Sequence, residues 1–269
     1  MNSCRVSIIV PTYGEAENLP RLVPQIAQAF HARGWIWEMI VVDDNSPDST
    51  PQVLENLVRQ WPQLRYLIRK EERGLSSAVL AGFALARHEY LLVMDADLSH
   101  PPEAAPGLID PLLAGTADFV IGSRYVAGGR TEEWSVFRRL NSTLATLLCR
   151  PFCGGVKDPM AGFFALSRQT WRNAGKLNPV GYKIGLELMV KCRVSRVVET
   201  PIVFRNRTHG TSKLTLREQF LYLEHLRRLV DYQFPRAAMF SRVLFVSACV
   251  GGGGAAIFML LQPVLRFPL

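Results

Sequence analysis

YLLVMDAD, at residues 90–97, places an unbroken apolar run directly before two carboxylates. A short apolar run of this kind is typical of a strand buried on both faces, as in a parallel sheet. The loop after such a strand can turn both carboxylates toward one ligand. Because hard oxygen ligands suit Mg²⁺ or Mn²⁺, Asp95 and Asp97 are predicted to hold a divalent ion that carries phosphate oxygens. The alternative is structural, an Asx turn followed by the N-cap of a helix.

The flanking sequence alternates between strand-like and helix-like stretches. Strands are predicted at 5–10, 38–42, 65–68, 90–94 and 119–121, with helices at 16–33, 50–61, 75–87 and 103–114 between them. This alternation predicts an α/β fold, a Rossmann-like and mostly parallel sheet with helices on both faces. Ligands of such sheets bind at the carboxyl ends of the strands.

Polar clusters follow four of the predicted strands. They are PTYGE (11–15), DDNS (43–46), DAD (95–97) and GSRY (122–125). Each alone fits capping or turn chemistry, but four clusters at one sheet edge predict a ligand site. The sequence has no GxGxxG after the first strand and no GxxxxGK[ST], which argues against a dinucleotide oxidoreductase and a P-loop NTPase.

Composition limits the partners. Of the 269 residues 48% are hydrophobic, and the formal net charge is +8. Such a charge suits nucleic acid, an anionic membrane or phosphorylated substrates. The sequence has no basic tail, zinc-finger spacing or aromatic RNA-binding motif, so no nucleic-acid partner is predicted. Five scattered cysteines indicate reduced thiols and a cytosolic location for most of the chain.

The end of the sequence differs from the rest. Residues 243–261 carry no charge, and at about 1.5 Å per residue they span a bilayer core of about 30 Å. We predict a transmembrane anchor at 240–265 behind a large domain at 1–235; the alternative is a buried core helix. Arginines precede the segment, which predicts a membrane protein with that domain on the cytoplasmic face.

Two other stretches, at 134–150 and 214–234, have apolar residues at helical spacing beside paired arginines. Amphipathic helices with aromatic and basic residues are typical of membrane interfaces. Both are therefore predicted to be interfacial helices of the large domain, with ordinary packed helices as the alternative.

Six motifs occur in a fixed order along the chain. They are PTYGE (11–15), DDNSPDST (43–50), DADLSHPPE (95–103), GSRY (122–125), DPMAGF (158–163) and RTHGTSK (207–213). This set resembles the family-2 glycosyltransferases of the GT-A fold, and within them the dolichyl-phosphate and polyprenyl-phosphate mannose synthases. The resemblance extends from residue 5 to about residue 230.

The resemblance implies roles for particular residues. Positions that hold the base and ribose of the donor nucleotide are matched by Pro11, Tyr13, Glu15, Val42 and Asp44. Asp95 and Asp97 match the metal-binding acids, with Ala96 close to the nucleotide. Ser99 stands where some members supply a Gln to the metal, and it is expected to offer an oxygen there. Gly14 departs from the family pattern, which usually has Asn at this position.

Cations complete the implied site. The clamp on the donor phosphates is matched by Arg124, Arg207 and Lys213, and the site of the lipid phosphate by Arg138 and Ser142. The resemblance thus implies three catalytic residues: Asp97 at the metal, Arg124 at the donor phosphates and Arg138 at the lipid phosphate.

The expected reaction is the inverting, metal-dependent transfer of mannose from GDP-mannose to a polyprenyl (dolichyl-type) phosphate. A divalent ion, arginine and lysine neutralise the charge on a departing diphosphate. A phosphomonoester, with a second pKa of about 6, is already a nucleophile at pH 7 and needs no general base. The alternatives are UDP-glucose or another donor with the same acceptor, a hydroxyl acceptor on a polysaccharide or lipid, and a non-catalytic binder of nucleotide sugars.

Overall fold

The computed structural model describes residues 4–132, 136–178, 180–205 and 216–235; for 136–142, 144 and 216–219 it describes the backbone alone. The chain divides into two compact units, Met1–Leu214 and Thr215–Leu269. The described part of the first unit contains the sheets and most helices, and that of the second is one helix.

The elements alternate along the first unit. The strands are β1 (Arg5–Thr12), β2 (Ile36–Asp43), β3 (Leu64–Ile68), β4 (Tyr90–Val93), β5 (Phe119–Ser123), β6 (Arg130–Thr131), β7 (Phe164–Ser167), β8 (Val197–Pro201) and β9 (Val203–Phe204). The α-helices are α1 (Leu19–His31), α2 (Thr50–Gln60), α3 (Leu75–Leu85), α4 (Ala105–Leu113), α5 (Val136–Cys153), α6 (Arg168–Arg172), α7 (Ile184–Lys191) and, in the second unit, α8 (Leu216–Gln233).

Seven strands form one sheet in the order β3-β2-β1-β4-β7-β5-β8. Every neighbouring pair is parallel except the two that involve β7, which is antiparallel to both β4 and β5. The predicted mostly parallel sheet is confirmed, and the five predicted strands are present with small shifts at their ends. The short strands after residue 123 are additions that the alternating pattern did not predict.

Helices cover both faces of the sheet, as predicted. Successive residues of β1 point to opposite faces. Ile8 is fully buried in one hydrophobic cluster with Ile26 of α1 and Leu108 of α4. Its neighbour Ile9, also fully buried, meets Gly82 of α3 on the other face.

Strand β7 positions the functional loops. Because it runs antiparallel to its neighbours, its first residue lies at their carboxyl ends: Phe164 pairs with Val93 of β4 and Ile121 of β5. The segment before β7, DPMAGF at 158–163, therefore enters the sheet at the edge where β4 and β5 end.

None of the helices within the described ranges is long and apolar enough to cross a membrane. The anchor predicted at 240–265 lies outside the described residues. Helices α5 and α8 occupy the two stretches predicted to be amphipathic helices. Each carries exposed apolar side chains: Leu147 and Leu148 on α5, and Phe220 and Leu223 on α8.

The packing of α3 on β1 requires a glycine. A Cβ added at Gly82 would lie 2.4 Å from Cγ2 of Ile9, whereas one added at Gly107 in α4 meets nothing within 4 Å. We expect Gly82→Ala to lower the free energy of unfolding by about 1–3 kcal/mol through overpacking. The control Gly107→Ala should leave it unchanged or raise it by up to about 1 kcal/mol. Urea unfolding of both variants measures this, and equal effects would rule out close packing as the reason for Gly82.

Candidate active site

Parallel strands bring the predicted polar clusters to one edge of the sheet. β1 ends at Thr12 and β2 at Asp43, and these two residues are register partners. The backbone N–H of Asp44 donates to the carbonyl of Thr12 at 3.0 Å, which continues the pairing into the loops. β4 and β5 end at the same edge on either side of β7. The predicted convergence of the four clusters is therefore present.

Asp43 ties the first two loops together. Its carboxylate is fully buried and accepts hydrogen bonds from Thr12 Oγ1 at 3.1 Å, Ser46 N at 2.9 Å and Ser46 Oγ at 2.5 Å. Ser46 Oγ in turn accepts from the N–H of Gly14 at 2.8 Å. Gly14 has a φ of +77°, in the left-handed region that Gly and Asn tolerate best, which explains why Gly can stand where Asn is usual.

Asp44 is held by an arginine that the sequence analysis did not assign. Arg69, at the end of β3, donates to Asp44 Oδ1 through Nε at 2.8 Å and also through Nη2. The N–H of Gly74 donates to Asp44 Oδ2 at 2.7 Å. A carboxylate accepts about four hydrogen bonds, so Asp44 retains capacity for the predicted donor nucleotide. The only sequence signal for Arg69 is a basic residue directly after a strand.

The other predicted nucleotide-binding residues surround the ends of β1 and β2. Pro11 is the register partner of Val42, whose side chain is fully buried beneath this edge. Tyr13 is 37% exposed, and the guanidinium of Arg73 lies 5.4 Å from its ring centroid. Glu15 is partly exposed in the same loop. Tyr13 and Arg73 thus offer a planar surface of the kind that stacks on a base.

The residues after β4 supply oxygen ligands suited to a divalent ion. The side chain of Asp95 is one-third exposed, at 33%, and Asp97 is buried and accepts from the N–H of Ser99 at 3.0 Å. Ser99 is fully buried, and within the described chain its Oγ has no hydrogen-bond partner. Ala96 between the acids is also buried. Two carboxylates and an unsatisfied buried hydroxyl fit the predicted Mg²⁺ or Mn²⁺.

The described residues contain no group of three or more His, Cys, Asp and Glu side chains that could hold a metal by themselves. A site with two acids leaves most of the coordination shell to other oxygens. That is the usual arrangement for Mg²⁺ that binds together with substrate phosphates and water. The donor set therefore fits an ion that arrives with a phosphorylated ligand.

His100 fixes the backbone of this loop and was not assigned a role from the sequence. Its ring is buried, stacked on Phe163 at 5.1 Å and in edge contact with Phe204 at 5.4 Å. Burial lowers the pKa of His100, against the opposing effect of Asp95 and Asp97. The ring is therefore neutral at pH 7, and its Nδ1 accepts from the N–H of Asp95 at 3.1 Å.

The DPMAGF loop (158–163) connects the elements of the site. The carboxylate of Asp158 is fully buried and accepts from Arg124 through its backbone N at 2.9 Å, Nε at 2.7 Å and Nη2 at 2.6 Å. The carbonyl of Met160 accepts from Lys183 Nζ at 3.2 Å. A Cβ on Gly162 would lie 3.6 Å from both carboxylate oxygens of Asp95. One short loop thus touches residues from three different segments.

The pKa values of two cations in this region are shifted in opposite directions. Burial opposes the charge of Arg124, but its ion pair with Asp158 prevails and raises the pKa of the guanidinium. Burial, with the nearby charge of Arg124, lowers the pKa of Lys183 to about 8. Arg124 also lies over the ring of Phe204 at 5.3 Å, a favourable cation–π contact. Asp158 and Lys183 were not assigned as site residues from the sequence.

Four predicted phosphate-binding residues are not tested by these contacts. Arg138 and Ser142 fall on the part of α5 whose backbone alone is described, and Arg207 and Lys213 lie outside the described residues. Their roles remain predictions.

Comparison with known proteins gives consistent results. Residues 7–173 match the family described as Glycosyl transferase family 2. Dolichol-phosphate mannosyltransferase from Pyrococcus furiosus is 41% identical over 260 residues, 95% of this chain and 72% of that protein. The protein of the same name from Mycosarcoma maydis is 39% identical over 236 residues, 85% of this chain and 80% of that protein.

Solved structures agree on the fold. Glucosyl-3-phosphoglycerate synthase from Mycobacterium tuberculosis, in complex with Mn²⁺, UDP-glucose and phosphoglyceric acid, superposes with a TM-score of 0.61 at 19% identity. The similarity covers 85% of this chain and 79% of that one. At this identity the likeness shows the fold alone, a mixed α/β fold of the GT-A type.

Proposed function

Because the chain belongs to glycosyltransferase family 2, we propose that it transfers mannose from GDP-mannose to a polyprenyl phosphate, giving polyprenyl-phosphate mannose. The observation that carries the proposal is the similarity to dolichol-phosphate mannosyltransferases along almost the entire chain. The arrangement of acids and cations at the sheet edge supports it, because both substrates of such a reaction are phosphorylated.

A divalent ion, Mg²⁺ or Mn²⁺, is part of the proposal. Asp95, Asp97 and the unsatisfied hydroxyl of Ser99 would hold it. When bound, the ion stabilises the negative charge that gathers on the departing diphosphate. The structural relative crystallised with Mn²⁺ and UDP-glucose supports the use of such an ion.

The protein's own groups bind and orient the two substrates. The loops after β1 and β2, fixed by Asp43 and Arg69, would receive the nucleotide, and the DPMAGF loop would hold Arg124 near the phosphates. In the proposed reaction a phosphate oxygen of the acceptor attacks the anomeric carbon. The bond from that carbon to the diphosphate breaks, and GDP leaves with the electron pair. Attack opposite the leaving group inverts the anomeric configuration.

Transfer is proposed to occur at the cytoplasmic face of a membrane. The exposed apolar side chains of α5 and of α8, and the uncharged sequence at 243–261, support a membrane location, and the arginines that precede that sequence support the cytoplasmic face. Helices with exposed Leu and Phe beside arginines bind at the interface with anionic lipids. A polyprenyl phosphate has its tail in the bilayer, so an enzyme that uses it needs access to that interface.

The test is an incubation of full-length protein in membranes with polyprenyl phosphate and a panel of labelled nucleotide sugars. We expect label from GDP-mannose in the lipid extract, dependent on added Mg²⁺ or Mn²⁺ and abolished by a chelator. If label reached the lipid extract only from UDP-glucose, the proposed acceptor would stand and the donor would be UDP-glucose instead of GDP-mannose. Label found only on a water-soluble glycan would overturn the proposed acceptor.

A further inference from the structure

A carboxylate on β8 holds the start of the DPMAGF loop. Glu199 Oε2 accepts from the backbone N–H of Lys157 at 2.8 Å, and Oε1 accepts from that of Asp158 at 2.9 Å. Two successive amides of an irregular segment thus share one side chain of the sheet. Among the residues that the structure describes, these two amides are the partners of the Glu199 carboxylate, and no Lys or Arg pairs with it. The carboxylate is therefore committed to the backbone of this loop.

The backbone of Asp158 is fixed from two sides. Its carbonyl accepts from the N–H of Ala161 at 3.2 Å, a contact within the loop itself. Its N–H reaches Glu199, which is the register partner of Ile121 on β5. An irregular segment needs partners for its backbone amides, and this one finds them on the strand next to β5. Glu199 thus connects the position of the Asp158 backbone to the sheet.

The side chain of Asp158 passes this position on to Arg124. Its fully buried carboxylate accepts from Arg124 through the backbone N at 2.9 Å, Nε at 2.7 Å and Nη2 at 2.6 Å. A bidentate pair of this kind is geometrically specific, because both carboxylate oxygens must face the guanidinium in one orientation. A shift of the Asp158 backbone would therefore turn the guanidinium or break the pair.

We propose that Glu199 is a positioning residue: by fixing the backbone of Asp158, it sets the orientation in which Arg124 meets a substrate phosphate. This inference rests on the proposed function, in which Arg124 acts on the donor diphosphate. Glu199 contacts no substrate in this proposal and acts through Asp158. The competing explanation is that Glu199 only stabilises the loop, and that its two hydrogen bonds have no consequence for Arg124.

The chain offers a matched control at the opposite end of the same strand pair. Asp118 directly precedes β5, and its Oδ2 accepts at 3.1 Å from the backbone N–H of Arg196, which directly precedes β8. Like Glu199, Asp118 is a partly exposed carboxylate that holds a backbone amide beside these strands. It lies at their amino ends, whereas the site lies at their carboxyl ends. Asp118→Ala thus removes a comparable structural contact at the far end of β5 from Arg124.

The experiment compares Glu199→Ala, Glu199→Gln and Asp118→Ala in detergent-solubilised full-length protein, and combines Glu199→Ala with Arg124→Gln. One arm measures kcat and KM for transfer from GDP-mannose. The other measures hydrogen exchange at the backbone N–H of Arg124, which donates to Asp158 and reports on this contact without any turnover. Thermal unfolding of every variant is the check on structure.

We expect Glu199→Ala to lower kcat/KM about 10- to 100-fold, the size of the loss when a substrate-positioning group is misplaced, and to speed exchange at the Arg124 N–H. Gln keeps one acceptor oxygen and presents an NH₂ group in place of the other, so Glu199→Gln should lose less. Asp118→Ala should match the wild type in both arms, although its unfolding temperature falls. In the Arg124→Gln background, Glu199→Ala should lower transfer by less than about twofold more, because the two residues act as one unit.

Wild-type transfer or wild-type exchange in Glu199→Ala would overturn the proposal. So would an equally large loss on top of Arg124→Gln, since Glu199 would then act independently of Arg124. An equal loss in Asp118→Ala would also overturn it, because the effect would then be one of general stability. If the wild type transferred no sugar, the proposed function would fail, while exchange at the Arg124 N–H would still decide whether Glu199 fixes this contact.

Discussion

Replacement of Asp97 by asparagine is expected to lower mannosyl transfer on the order of 10³-fold, because it removes one of the charges proposed to hold the divalent ion. The substitution is nearly isosteric, and Asn retains an Oδ1 that accepts the 3.0 Å hydrogen bond from the N–H of Ser99. The loop should therefore keep its conformation. The loss is predicted to fall on the chemical step and on metal-dependent donor binding rather than on folding.

The measurement is initial-rate transfer to polyprenyl phosphate over a range of Mn²⁺ concentrations, with thermal unfolding as a check on structure. Asp110→Asn is the matched control, since Asp110 is a surface carboxylate paired with Arg33, each with a side chain 45% exposed. The control should keep wild-type rates. Transfer by Asp97→Asn within a few-fold of the wild type would show that the metal, if required, is bound elsewhere.

The sheet was predictable because its strands are nearly continuous apolar runs. β1 and β2 are buried along almost their entire length, and this pattern identifies parallel strands between helices without any tertiary information. β7 has only four residues and follows an irregular segment. Its position between β4 and β5 depends on partners 43 to 77 residues away in register, such as Phe164 with Ile121 and Tyr90 with Ser167. A short strand with such distant partners leaves no local periodic signal.

Local and long-range signals also separate the site residues that were predicted from those that were not. Asp95 and Asp97 are two residues apart and follow a clear strand, so their chemistry is visible locally. Arg69 acts on Asp44 from 25 residues away, and Asp158 acts on Arg124 from 34 residues away. Such supporting contacts arise only when the loops meet at the sheet edge. The motifs containing Asp158 and Arg124 were both visible in the sequence, but the pairing of these two residues was not.

Replacement of Asp158 by asparagine is expected to reduce both stability and activity. The wild-type carboxylate is fully buried and its partner Arg124 has a side chain only 11% exposed, so the substitution leaves a buried positive charge without its counter-ion. Breaking one side of a buried ion pair costs about 3–5 kcal/mol. We also expect transfer to fall about 10²-fold, because the amide of Asn keeps only one acceptor oxygen, so Arg124 loses one of the two contacts that orient its guanidinium.

Urea unfolding and transfer rates separate these two effects. The control is Glu103→Gln, which breaks the pair with Arg205, an exposed ion pair whose side chains are 60% and 45% exposed; it should cost less than about 1 kcal/mol. The double variant Asp158→Asn with Arg124→Gln removes the unpaired charge, so it should regain part of the stability and none of the activity. Recovery of transfer in the double variant would show that Arg124 is dispensable for the reaction. If Asp158→Asn lowered the free energy of unfolding no more than Glu103→Gln, the buried pair would not stabilise the DPMAGF loop. The orientation of Arg124 would then need another cause.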